Sequence, residues 1–255
     1  MASKYFTVEV KPTITASKQA AFANKDVLFD WTSFQVPRGA SKLLSVNVTL
    51  RGTNGTTQTP RDFDLYFAKT IDGTAPATLG TINATVTAAP IVFNHIIGNT
   101  HIDSSGDYGA GGFDYGAVAQ TGSGAAASLV PSLVLQGEPD SGDNVGYDTL
   151  YIGGIAGAAL DFGTTVISRG AASATATSVP TDAGSDDDPN ADLIFAVGDT
   201  IHSATDDVLG TLTSIAAFDT NNQALGFSAG TTATVADNEE LFNIHPMKII
   251  LSFER

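Results

Sequence analysis

The chain of 255 residues has no cysteine. Neither disulfides nor thiolate metal sites can hold it together, so stability must come from packing or from subunit association. Charge is scarce as well: 15% of residues are charged, with 12 Lys and Arg against 27 Asp and Glu. The resulting net charge of −15 argues against nucleic-acid binding, because phosphate contacts need clustered cations. No apolar run approaches the roughly 20 residues that a membrane-spanning helix requires, so no membrane partner is expected. Met1 to Val10 lacks the apolar stretch of a secretory signal, and cytoplasmic synthesis without export is the expectation. A long amphipathic helix is also missing, which excludes folds built around a spine helix. What remains is a chain with 42% apolar residues, enough for one large β domain or a domain carrying a smaller inserted one.

The shortage of cations is uneven. Residues 70 to 247 hold 21 of the 27 acidic groups and a single basic one, Arg169, for a local charge of −20. The remaining segments hold 11 basic and 6 acidic groups, for +5. Such a split predicts that the two ends of the chain form one face and the middle another.

The apolar pattern has the period of strands. Tyr5 to Val10 alternates, Val27 to Trp31 and Phe34 to Pro37 follow, and Arg38-Gly39 marks a turn. In Ser41 to Leu50, the residues Leu44, Val46, Val48 and Leu50 are predicted on one face and Ser45, Asn47 and Thr49 on the other. Phe63, Leu65 and Phe67 alternate with Asp62, Asp64 and Tyr66, and these two segments read as a hairpin with a long polar loop. Ala16 to Asn24 has the composition of one or two helical turns, while Leu79 to Val86 and Ile91 to Ile97 are short apolar runs. The stretch from Gly98 to Ser128 is rich in Gly, Ala, Ser and Asp and reads as a surface excursion. Leu129 to Gln136 and Tyr147 to Ile152 resume the strand pattern. Gly163 to Asn190 is a second low-complexity passage and reads as a linker.

Four short β-like segments follow between Val197 and Val235, separated by Asp, Asn or Gly, as in a compact barrel or curled sheet. After Pro246, Met247 to Phe253 is apolar again. An apolar strand must pair inside a sheet or offer an aggregation-prone edge, and its expected partner lies far upstream. The predicted fold is therefore all-β: a jelly-roll-like β-sandwich with an inserted small β-barrel-like module. Its expected parts are a sandwich of residues 1–165 plus 246–255, a linker of 166–194 and a module of 195–245.

Candidate sites are few. The densest acidic cluster, Asp186, Asp187, Asp188 and Asp192, offers the oxygen ligands Ca²⁺ prefers, but it lacks an internal glycine and a distal bidentate Glu, and a solvated linker is the favoured reading. Asp103 to Asp107 and Asp140 to Asn144 read first as turns. His95 and His101 could meet at one metal; ordinary polar contacts are favoured for these and for His202 and His245. Tyr108, Phe113 and Tyr115 read as a sugar-stacking platform, an inter-subunit plug or a loop packing its own aromatics, the last favoured. Asn47, Asn54 and Asn83 begin Asn-X-Thr matches that carry no weight without a secretory signal. No nucleophile, base and orienting acid stand in a recognisable context, so the expectation is a non-enzymatic protein without a cofactor.

The segments Val27-Leu28-Phe29-Asp30, Ser41 to Val46, Asp64 to Phe67, Leu79-Gly80-Thr81, Asp148 to Ile152 and the ending Ser252-Phe253 together resemble structural proteins of tailed bacteriophages, marine cyanophage virion proteins among them. Phe195 to Phe242, with Gly198 to Ile201, Leu209-Gly210-Thr211 and Ala236 to Leu241, resembles small β modules of the same virions. The resemblance implies a sandwich carried on the particle, with capsid decoration as the leading role. A tail, neck or fibre component and a carbohydrate-binding adhesion module are the alternatives. It further implies localisation to the virion and two partners: the chain itself, as a homo-oligomer with a trimer as first guess, and a major capsid or other virion protein. Combined with the charge split, it makes Lys4, Lys11, Lys18, Lys25, Arg38 and Lys42 the candidate particle-docking residues.

Overall fold

Alternation of burial decides where strands form. A computed structural model describes residues 4–52, 58–109, 115–122, 131–140, 145–163, 166–182, 191–218 and 222–255. Its strands are Tyr5–Val10 (β1), Val27–Pro37 (β2), Ser41–Arg51 (β3), Phe63–Lys69 (β4), Ile96–Ile102 (β5), Gly116–Gln120 (β6), Leu133–Leu135 (β7), Tyr147–Ala156 (β8), Ser178–Pro180 (β9), Thr200–Ser203 (β10), Val208–Ala217 (β11), Gln223–Phe227 (β12), Leu241–Asn243 (β13) and Met247–Glu254 (β14). The helices among the described residues are single turns: Ala16–Lys18 is 3-10, and Pro90–Phe93 (α1) and Ala191–Ile194 (α2) are α.

Two antiparallel sheets make the sandwich. The first runs β1-β14-β3-β6, with β7 also paired to β3, and the second runs β2-β8-β4-β5. Because β6 pairs with residues 47–51 of β3 and β7 with residues 41–43, the two short strands share one edge position. Counted that way there are eight strand positions, and successive strands switch sheets except at β4 and β5. This is the jelly-roll order, two Greek keys folded on each other. The expected all-β sandwich is thus the observed architecture. Leu43, Val46, Val48, Leu50, Met247, Ile249, Leu251 and Phe253 from the first sheet meet Phe34, Phe63, Leu65, Phe67, Leu150 and Ile152 from the second in one core. Phe253 stacks on Phe6 at 5.1 Å and on Phe34 at 6.4 Å between ring centroids.

Several local expectations change. The segments 41–51 and 63–69 do not form a hairpin, since β3 and β4 lie in opposite sheets and their connection crosses the sandwich. Leu43, not Leu44, is the buried leucine at the start of β3. A bulge between Ser252 and Phe253 of β14 pairs these residues with Ser45 and Leu43, so Leu44 falls out of phase. The Gly-rich passage from Gly98 holds the end of β5 and all of β6, whose small Ala117 and Ala119 point into the core. β8 continues through Gly153 and Gly154 because large side chains lie over them. A Cβ on Gly154 would stand 2.4 Å from Phe29 Cε1, and one on Gly153 2.6 Å from Leu79 Cδ1.

The inserted module has its own sheet, β13-β10-β11-β12-β9, and its own core of Val166, Val179, Ala191, Phe195, Ile201, Leu209, Leu225, Phe227 and Leu241 among others. Its boundary differs from the expected 195–245. Residues 166–182 are part of it and not a linker, because β9 pairs with β12 and Val166 and Val179 are fully buried in this second core. Nor is the module a closed barrel. Among the described residues its edge strands are joined not by a ladder but by isolated bridges, Ile167 to Glu240 and Ser168 to Thr181.

Overpacking a filled core costs about 1–3 kcal/mol. Gly154→Ala is therefore expected to lower unfolding stability by about that amount in a denaturant titration, because the buried ring of Phe29 has to move. Gly146→Ala, with no atom within 4 Å of the added Cβ, is the control and should change little.

The two cores share no residue, and Gly163 and Pro246 line the same small pocket. Replacing 164–245 by a short Gly/Ser linker should leave a cooperatively unfolding sandwich, whereas deleting 246–255 should give insoluble protein. Loss of cooperativity in the first variant would show that the module is needed for the sandwich to fold.

Candidate functional site

The six candidate docking cations do not share a face. Lys4 and Lys11 flank β1, and a strand of this length, at about 3.3 Å per residue, puts them roughly 20 Å apart at opposite ends of the sandwich. Lys18 and Lys25 lie with Lys11 at the module end. Their carbonyls accept hydrogen bonds from Asn83 Nδ2 at 3.2 Å and from Val86 N–H at 3.0 Å. Arg38 and Lys42 lie with Lys4 at the other end, because β2 ends and β3 begins there.

At that end the structure adds a residue not singled out in the sequence. Arg255 Nη2 donates to the Arg38 carbonyl at 3.1 Å, and its backbone N–H donates to the Lys4 carbonyl at 2.9 Å. Tyr5, Glu254, Lys42 and Val134 form a cross-strand row over β1, β14, β3 and β7. Lys4 pairs with Glu254 at 2.7 Å; hydrogen bonding to Lys4 lowers the Glu254 carboxyl below its ordinary range and raises Lys4. The apolar members are exposed: Tyr5, Val134, Val145 and Tyr147, the last opposite Pro37. Four cations and four exposed apolar side chains thus share one end of the sandwich with the carboxylates of Glu254, Asp140 and Asp148, the last of which accepts the Gly39 N–H at 3.2 Å.

The opposite end carries the junction with the module. Arg51, at the end of β3, donates to the Ile194 carbonyl and to the Asp199 carboxylate, which also accepts the Ala196 N–H at 2.9 Å. Ser17 donates through N–H and hydroxyl to Asp206 at 2.8 and 2.5 Å, and the buried Gln19 amide donates to the carbonyls of Ile14 and Asn243 at 2.7 and 2.6 Å. These contacts fold the module over the outer face of the first sheet and leave a groove of about 570 Å³. Lys248, Thr49 and Val118, in register across β14, β3 and β6, line its sheet side. Leu193, Ala196 and Asp199 line its module side, with Lys11 and His245 also contributing. Lys248 was hidden in the sequence by the apolar strand around it, and Arg51 by the polar loop that follows it.

The other candidates disperse. Asp186, Asp187 and Asp188 lie outside the described residues, as does Phe113, while Asp192 sits in the single turn of α2. Among the described residues no group of three or more His, Asp or Glu is placed to hold a metal ion. Asp103 accepts the Ser105 N–H at 2.6 Å, a hydrogen-bonded turn, and the fully buried Asp107 accepts N–H groups of Asp103 and Gly122 at 2.9 and 3.1 Å. His95 donates from Nδ1 to the Lys69 carbonyl and His101 Nδ1 faces Asp64 Oδ1, each at 2.9 Å, so the pair does not converge. Tyr108 packs on the sandwich core, its hydroxyl donating to the Arg61 carbonyl at 2.8 Å, and burial pushes it up to about 12. Tyr115 packs instead against the module core. Neither ring is presented as a free platform.

His202 on β10 is buried, 5% exposed, and neither ring nitrogen has a hydrogen-bond partner among the described residues. Burial lowers its pKa, opposed in part by the charges of Asp206 and Asp207 and aided by His245. A folded-state pKa below the unfolded value means that the unfolded chain binds the proton first. Stability should hold above about pH 6.5, the ordinary histidine value, and fall as the pH drops through the window beneath it. Melting temperatures between pH 8 and pH 5 should show this loss, and His202→Phe should flatten the part of the curve below about pH 6.5; an unchanged slope in the variant assigns the loss to other groups.

Compared with known proteins, the chain matches no family model, no curated protein and no solved structure.

Proposed function

We propose that this chain is a non-enzymatic structural protein of a phage particle, a capsid decoration protein that docks on an acidic shell through the end of the sandwich holding Lys4, Arg38, Lys42 and Arg255. The observation that carries this reading is the polarity of the molecule. One end gathers four cations, beside Glu254, Asp140 and Asp148, with exposed Tyr5, Val134, Val145 and Tyr147. The other carries the module, residues 166–246, with 12 acidic residues and one basic one. An interface of this kind pairs apolar contact with charge that steers the approach, and the acidic module pointing away keeps neighbouring particles apart. Jelly rolls occur in viral capsid domains, and also in lectins and cupins, so the fold agrees by analogy and does not choose by itself.

Gold-labelled protein located on particles by electron microscopy tests the station on the virion. Reversing Lys4, Arg38 and Lys42 to Glu together should weaken particle binding at low salt by at least about tenfold and flatten its salt dependence, with the melting temperature little changed, since all three head groups face water. The reversal of Lys18 and Lys25, at the opposite end, should leave binding intact. Equal loss in both variants would mean that net charge, not this surface, governs attachment.

A further inference from the structure

In a molecule of net charge −15, the groove at the junction is lined by three cations, Lys11, Arg51 and Lys248, and one carboxylate, Asp199. Arg51 and Asp199 neutralise each other, and their pairing fixes the module side of the groove. Lys11 shares its charge with Glu9 at 3.1 Å, but both groups are half exposed, where such pairs are weak. Lys248 has no ion-pair partner among the described residues, although its strand neighbours hold it on the groove side of β14. Around it the apolar side chains on the groove side are Val118, Leu193, Ala196 and Pro246; Leu50 and Ala117 border it by backbone alone, their side chains being in the sandwich core. The volume, about 570 Å³, lies in the range of small-molecule sites.

We infer that this groove binds a small organic carboxylate, its compact apolar or ring body against Val118 and Leu193 and its head group on Lys248, with Lys11 beside it. The charge favours an anion and the lining favours an apolar body. Two lysines without a cradle of backbone donors favour a carboxylate over a phosphate, which calls for such a cradle. The N–H of Gly198, which lines the groove, is already given to the Leu212 carbonyl at 2.8 Å. The site needs the module folded over the sheet, and it is separate from the docking end.

Calorimetric titration of the full chain with 2-naphthoate, its uncharged analogue 2-naphthamide and phenyl phosphate tests the assignment. The acid should bind about tenfold more tightly than the amide, the worth of one charge-assisted hydrogen bond, and Lys248→Met should abolish that difference. Leu193→Trp, at an exposed position, should fill the groove and reduce binding of acid and amide alike without changing the melting temperature. Equal binding of acid and amide, or affinity unaffected by both substitutions, overturns the inference. Tighter binding of phenyl phosphate than of naphthoate overturns the carboxylate assignment.

Discussion

The sandwich depends on β14 being seated between β1 and β3. It hydrogen-bonds along both edges, to residues 5–10 on one side and 42–50 on the other. Met247, Ile249, Leu251 and Phe253 are buried without remainder. At roughly 1.5–3 kcal/mol for each such side chain, these four contribute an upper estimate of about 6–12 kcal/mol. That is comparable to the entire net stability of a domain, about 5–15 kcal/mol. Among the described strands, β1 pairs with β14 alone.

The same seating gives the molecule its two ends. Because every pairing in the first sheet is antiparallel, β14 leaves the module at Met247 and arrives among Lys4, Arg38 and Lys42 at Glu254. The module is inserted in the connection from β8 to β14, so it hangs from the end at which those strands meet it. Arg51, Ser17 and Gln19 then fold it over the sheet and shape the groove. The polar and small side chains on the outer face of the first sheet, Ser45, Asn47, Thr49 and Ser252, let that face stay half in water beyond the module.

Much of this was legible from alternation alone. Phe63, Leu65 and Phe67 are read correctly because a half-buried strand forces a period of two, and Met247 to Phe253 is read correctly as a strand paired far upstream. Pairing is harder, since neighbours in sequence need not share a sheet; β3 and β4 look like a hairpin because nothing local records that the chain crosses the sandwich between them. Composition misleads where small residues do the packing. Ala117 and Ala119 fill a core position opposite large aromatics, and Val166 and Val179 anchor a second core from within a passage of Ala, Ser and Thr. The charge split groups Lys11, Lys18 and Lys25 with Lys4, Arg38 and Lys42, but the strands carry the two sets to opposite ends, because a surface is made by strand direction and not by proximity in sequence. The groove was invisible, for Lys248 acquires meaning only when Thr49 and Val118 are brought beside it.

The place of the module in the chain has a consequence for synthesis. A ribosome completes residues 166–243, with all the partners of the module's core, before β14 exists. The module can close on itself at once, while β1 and β3 wait more than 190 residues for the strand that joins them. Through that interval their open edges are exposed to other strands, including those of sister chains. The sandwich is thus finished last from its most distant parts, a high-contact-order closure that makes folding slow and makes the nascent chain a natural client for chaperones.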